Sequence, residues 1–208
     1  MRYYGYFFLI LMVLVFSSCE YFGTSIPDYF RSNYPHTYKI GDRGPAGGWI
    51  FYIDTANLYS WTYLECGPED IGNVNWGADS RTVGTISAEI GTGKSNTDTI
   101  ISELEAHHET GRAAQLCRDY RINGFSDWFL PSKDELNAMW EALQRDRNTG
   151  NFHSLSIFND NYWSSSEVSS IYTWTQNFCS GLQAGGGGGK AAVCYVRPIR
   201  AFKANFEK

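Results

Sequence analysis

Residues 88–95, Ala-Glu-Ile-Gly-Thr-Gly-Lys-Ser, fit the looser form of a nucleotide-binding loop: a small residue, four of any kind, then Gly-Lys-Ser. Such a loop needs a strand before it, a helix after it and an acidic strand end elsewhere to help hold Mg²⁺. A helix fits after Ser95, but "RTVGTISAEI" (81–90) is a poor buried strand and no later apolar strand ends in Asp. The stretch reads instead as a glycine turn into a helix start, with Ser95, Asn96 and Thr97 as capping candidates. No nucleotide is expected. His107, His108 and Glu109 are the next residues that suggest chemistry. Adjacent histidines on a helix point about 100° apart, so they do not converge on a metal. His153 is isolated, no Ser-His-Asp set has a recognisable spacing, and no carboxylate pair stands out. These residues predict binding rather than catalysis.

The elements that must position such residues are legible in pieces. "WIFYID" (49–54) and "WTYLEC" (61–66) read as a β-hairpin, followed by a long loop from Gly67 to about Gly93. A helix begins near Ser95–Thr97, with Ile100, Ile101 and Leu104 at helical spacing, and "RAAQLCRDY" (112–120) continues as a second helical piece after Gly111. Trp128 to Leu130 read as a short strand stopped by Pro131. Ser132 and Glu135 then form a capping box, and Leu136, Met139, Trp140 and Leu143 line one apolar face. The last third is strand-like: "NYWSSSE", "YTWTQNF" and "VCYVRPIRAF". In the second of these Tyr172, Trp174, Gln176 and Phe178 alternate with Thr173, Thr175 and Asn177. Five consecutive glycines (185–189) cannot pack a core and read as a loop or a loosely held edge.

The N-terminus gives an address. Arg2 precedes an apolar run from Phe7 to Phe16, then Ser17, Ser18 and Cys19. The run is short for a membrane span, which needs roughly 20 apolar residues, and the pattern resembles a bacterial lipoprotein signal. Residues 1–18 are therefore expected to be a signal peptide, Cys19 the lipidated residue, residues 19–38 a tether and residues 39–208 one domain, held at the outer membrane or cell surface. The formal charge of −5 and the lack of a basic run argue against a nucleic-acid partner. Four cysteines remain after cleavage: Cys66, Cys117, Cys179 and Cys194. An even number in an exported chain suggests disulfides. The preferred pairs are Cys179–Cys194 and Cys66–Cys117, with Cys117–Cys194 as the rival.

"GPAGGWIFYID", "YLECGPED", "IGTGKSNT", "AAQLCRDY", "GFSDWFLPSKDEL", "YWSSSE", "W-x-Q-x-F" and "YVRPIRAF" occur in this order over residues 39–203. Together they resemble the C-terminal domain family of the Legionella collagen-like protein. The resemblance implies an α+β, C-type-lectin-like fold of the formylglycine-generating-enzyme branch: two or three helices on small, twisted, mainly antiparallel sheets. The enzymes of that branch use a cysteine pair in a characteristic local sequence. Cys179 and Cys194 lack that context. The motifs of calcium-dependent sugar sites are also missing, so no cofactor is expected. Asp79, Asp127 and Asp160 are the loop carboxylates on which a calcium ion would have to rest.

A narrower resemblance is to treponemal surface lipoproteins whose C-terminal codons are rewritten at adenines by a diversity-generating retroelement. Trp163, Glu167, Trp174, Gln176, Phe178, Gly181, Gln183, Lys190 and Arg197 would then be framework, and the residues between them are reachable from rewritten codons. The resemblance implies a ligand face over 168–195 that binds an unknown protein or glycan. It is expected to be carried by Ser169, Ser170, Tyr172, Thr173, Thr175, Asn177, Ser180, Leu182 and Lys190, with Ala184–Ala192 contributing and Trp163 and Trp174 packed beneath. Exposed Tyr, Ser, Thr and Asn make an adaptable contact surface. The alternative is a fixed-sequence adhesin for host glycans. A sulfated glycan would require Lys190, Arg197 and Arg200 to cluster.

Overall fold

A computed structural model describes residues 37–84, 87–146, 148–186 and 189–203. The expected signal segment, Cys19 and the expected tether through residue 36 lie outside the described residues.

The elements are β1 (Trp49–Ile53), β2 (Tyr63–Cys66), β3 (Gly72–Asn75), α1 (Gly93–Ala106), α2 (Ala113–Asp119), α3 (Lys133–Met139), a π-helical turn (Trp140–Gln144), β4 (Asn161–Glu167), β5 (Thr173–Asn177), β6 (Gln183–Ala184), β7 (Val193–Val196) and β8 (Ile199–Phe202). They form a three-stranded sheet ordered β1-β2-β8 and a five-stranded sheet ordered β3-β7-β4-β5-β6. All pairings are antiparallel except β4 with β7. This is the expected α+β class, consistent with a C-type-lectin-like fold.

The C-terminal segment differs from its reading as one strand. Pro198 has no N–H and cannot continue a ladder. The chain changes sheets there, so that β7 joins one sheet and β8 the other. The same crossing occurs alongside, between β2 and β3, where Gly67 donates its N–H to Pro198 O at 2.8 Å. β3 lies inside what reads as loop in the sequence, because "GNVN" has no apolar alternation and is a strand only through its pairing with β7. The expected strand at Trp128–Leu130 is a single bridge, Phe129 to Ile199, with N–H···O distances of 2.8 and 2.9 Å.

The helices follow their caps. The Ser132 hydroxyl accepts from Glu135 N at 3.2 Å and the Glu135 carboxylate accepts from Ser132 N at 2.7 Å, closing the capping box. Leu136, Met139 and Leu143 are buried as the spacing requires. Trp140 is half-buried and donates its indole N–H to Phe178 O at 3.1 Å. α1 buries Thr97, Ile100, Ile101 and Leu104, and stops at His108 and Gly111, both with positive φ.

Two apolar clusters result. One joins Trp76, Ile100, Leu104, Cys117, Trp163 and Cys194 between α1, α2 and the larger sheet. The other joins Phe51, Leu64, Met139, Tyr162, Phe178 and Ile199 beneath α3.

Candidate ligand-binding face

The site is built on a frame of buried cations, each neutralised from within. Lys190 is fully buried; its Nζ meets Glu167 Oε1 at 2.5 Å and Arg81 O at 2.6 Å, over the Trp76 ring at 4.9 Å. Glu167 also accepts the Val83 N–H at 2.9 Å. Arg197 reaches Asp70 at 2.7 Å and the carbonyls of Gly67, Gly150 and Asn151 at 3.0, 2.7 and 2.9 Å. Arg200 is shared by Glu65 at 3.1 Å and Asp127 at 2.8 Å. A buried ion pair survives only with this degree of hydrogen bonding. The expectation that Lys190 faces ligand is therefore corrected: it anchors the glycine run from below. Lys190, Arg197 and Arg200 do not form an exposed cationic cluster.

Above Lys190 the chain makes an apex. Val168 N and Ser169 N both donate to Tyr172 O, at 2.9 and 3.0 Å, closing the turn between β4 and β5. The Ser169 hydroxyl accepts from Ile171 N and Tyr172 N at 3.2 and 3.1 Å. Gly185 and Gly189, near the two ends of the glycine run, pack against this turn. Lys190 N donates to Ile171 O at 2.8 Å. A Cβ on Gly185 would lie 3.3 Å from both Val168 and Trp174, and one on Gly189 would lie 3.3 Å from Ile171 O. The large exposed side chains here are Val168 (46%), Ile171 (47%), Tyr172 (40%) and Val193 (56%), with the exposed Ser169 among them.

Of the residues expected on this face, Ser169, Tyr172, Ser180 and Leu182 are exposed, and Ser170 is partly so. Thr173, Thr175 and Asn177 are buried, which corrects the outward alternation. β5 lies between β4 and β6, and its small polar side chains fasten neighbouring segments. Thr173 Oγ1 donates to Ser166 O at 2.7 Å and Thr175 Oγ1 to Ala184 O at 3.3 Å. Asn177 Oδ1 accepts from Cys179 N and Ser180 N at 3.1 and 2.9 Å. Trp163 is buried, whereas Trp174 is half-buried with Lys133 Nζ 4.9 Å from its ring centroid. Sequence reasoning missed Val168, Ile171 and Val193. Their only signal was apolar character beside turn residues.

The four cysteines are free thiols, so the expected pairings are not formed. Cys66 packs in the Phe51 cluster, Cys117 and Cys194 in the Trp76 cluster, and Cys179 is exposed. Burial pushes the Cys66 thiol up to about 11 and Cys194 up to about 12. Among the described residues no His, Cys, Asp and Glu group of three is placed to hold a metal.

The phosphate-loop lookalike has its own occupant. Gly91 N donates to Glu135 Oε1 at 2.8 Å, Ser132 N donates to Oε2, and the Gly93 N–H bonds to the same carboxylate. The amides that would cradle a phosphate hold an internal carboxylate instead. A Cβ on Gly93 would sit 2.1 Å from Glu135 Oε2 and 2.9 Å from Leu130 O, so glycine is required. Burial pushes the Glu135 carboxyl up to about 7, against the lowering effect of its N–H donors.

These features define the class: a small α+β domain whose frame of buried ion pairs supports an apex of loops with apolar side chains. The chain belongs to the Lcl C-terminal domain family, whose model matches residues 54–200. Among solved structures it is similar to a fimbrial protein from Bacteroides ovatus ATCC 8483, with a TM-score of 0.51 and 13% identity. That match covers 74% of this chain and 44% of the fimbrial chain, so this chain spans less than half of that protein. No curated protein sequence matches.

Proposed function

We propose that this chain is a surface-displayed binding protein, lipid-anchored through Cys19, whose ligand face is the apex of Val168–Tyr172, the glycine run and Ala191–Val193. The carrying observation is the division of side chains: four large apolar residues are exposed beside Gly185 and Gly189, while the nearby charges of Lys190 and Glu167 are paired inside. Adhesion fits the family, and a fimbrial protein shares the fold. An apolar, uncharged apex suits a protein surface better than a sulfated glycan, which needs exposed cations. Catalysis through Cys179 and Cys194 finds little support, because the buried Cys194 thiol resists ionisation and only a thiolate attacks efficiently.

The division also fits a diversified receptor. The framework residues Trp163, Gln176, Phe178, Lys190 and Arg197 are buried and the variable positions Val168, Ile171, Tyr172, Leu182 and Val193 are exposed, while the variable positions Thr173, Thr175, Asn177 and Cys194 are buried as well. Sequencing around the gene tests this: a downstream near-copy of the codons for 160–203, with AAC at the variable positions, beside a reverse transcriptase. Finding neither would reduce the reading to a fixed-sequence binder. Surface protease accessibility, compared between the native chain and Cys19→Ser, tests the anchor. Unchanged membrane association in the variant would reject it.

A further inference from the structure

A cavity of about 340 Å³, sharing no residue with the apex, is lined by Trp61, Gly91, Lys94, Asp127, Phe129, Glu135 and Ala201. Trp61 and Phe129 are its aromatic walls. The Trp61 ring is held by a parallel stack on Tyr59, with centroids 4.4 Å apart, and by an edge contact with Tyr52 at 5.9 Å. Phe129 is fixed by its two main-chain bonds to Ile199.

The charges around the cavity do not cancel. Lys94 is drawn off by Asp98, on the exposed side of α1, at 3.0 Å. Arg200 is shared by two carboxylates, Asp127 and Glu65, so that this trio carries one net negative charge. Glu135, wholly buried, takes main-chain N–H donors from Gly91, Gly93 and Ser132 and the Ser132 hydroxyl, and pairs with no Lys or Arg among the described residues. Along α3, its neighbours Lys133 and Asp134 pair with each other at 3.3 Å. A buried carboxylate without a counter-ion is costly, and the opposite charge is what relieves it.

We infer that this cavity is a binding site for an organic ammonium ion with a short apolar body, its charge set beside Asp127 and in the field of the Glu135 carboxylate behind the wall, and its body against Trp61 and Phe129. Aromatic faces attract cations in addition to apolar groups. A cavity of this size holds a fragment of roughly ten heavy atoms. The site is separate from the apex and does not depend on the apex being a ligand face. Its behaviour with pH follows from the Glu135 carboxyl, which burial raises to about 7. The other groups around it are Tyr59, Lys94 and Asp127, and the ligand should bind best where Glu135 is ionised.

The test uses the full chain and three probes of one shape: benzylammonium, benzyl alcohol and benzoate, followed by calorimetry and by the Trp61 indole NMR signal at pH 8. Benzylammonium should bind saturably, at least tenfold tighter than the alcohol, with benzoate weakest. Glu135→Gln, which keeps a capping side chain, should lower its affinity about tenfold, the scale of removing one nearby opposite charge. Lowering the pH from 8 to 6 should weaken native binding roughly fivefold and leave the variant unchanged. Should Glu135→Gln fail to fold, Asp127→Asn at the cavity mouth and Trp61→Ala carry the same test, each with a several-fold loss. Equal binding of the alcohol, preference for benzoate, or no saturable binding would overturn the proposal. Comparing n-butylammonium with Nα-acetyl-lysine amide assigns the source: the tighter probe marks the site as one for a free amine or for a protein's lysine.

Discussion

Glu135 binds main-chain amides rather than a cation, and this has a measurable cost. Its carboxyl is raised to about 7 in the folded protein by burial, above the ordinary range near 4.3–4.5 that it keeps in the unfolded chain. The folded state therefore holds the proton more tightly, and stability falls as pH rises from about 4.5 through 7. The loss attributable to Glu135 is on the order of 3 kcal/mol, from about 1.4 kcal/mol per pKa unit. Urea unfolding at pH 5 and pH 8 should show that slope in the native chain and a smaller one in Glu135→Gln. An equal slope in both would remove Glu135 as its source. Gly93→Ala is a second residue-scale prediction. The added methyl has no free space against the carboxylate and the Leu130 carbonyl. It should cost about 2–4 kcal/mol, comparable to severe overpacking, read as a lower urea midpoint at unchanged slope.

At the scale of elements, the apex depends on a hidden post. Lys190 ties the end of the glycine run to β4 through Glu167, and to the loop at Arg81 and Val83 through the same pair. Lys190→Met leaves Glu167 buried without its cation and should lower stability by about 3–5 kcal/mol. The double variant Lys190→Met with Glu167→Gln should recover part of that loss, because no lone charge remains inside. Strict additivity of the two changes in a denaturation cycle would show that the pair is not coupled. Gly181 plays a comparable part for the β5–β6 turn. It has φ +79°, and a Cβ there would lie 2.3 Å from Trp140.

For the whole molecule, charge placement predicts behaviour at the surface. The three cations that a sulfated glycan would need are buried and paired. Immobilised heparin should therefore not retain the protein in a salt-dependent way at 0.15 M salt, since retention requires accessible Lys and Arg. Elution from heparin only at raised salt would revive the glycan reading. Substituting Tyr172→Ala together with Val193→Asp should leave thermal stability within about 0.5 kcal/mol, as for exposed sites in general. The same pair should abolish binding of any protein ligand captured by the apex. A large loss of stability instead would show that these side chains belong to the core.

The sequence by itself determined what depends on neighbours along the chain. The Ser132–Glu135 capping box, the α1 and α3 apolar faces, the β1–β2 hairpin and the glycine punctuation at 91–93 are set by short-range rules of spacing and hydrogen bonding, and eight ordered motifs carried the family. Tertiary structure alone decided what depends on which segments meet. β3 is a strand only beside β7, Thr173, Thr175 and Asn177 are buried because packing covers both faces of β5, and Lys190 is buried because Glu167 pairs with it inside. Alternation along one strand cannot tell which face is covered, and a lysine reads as surface until a carboxylate distant in sequence compensates its burial.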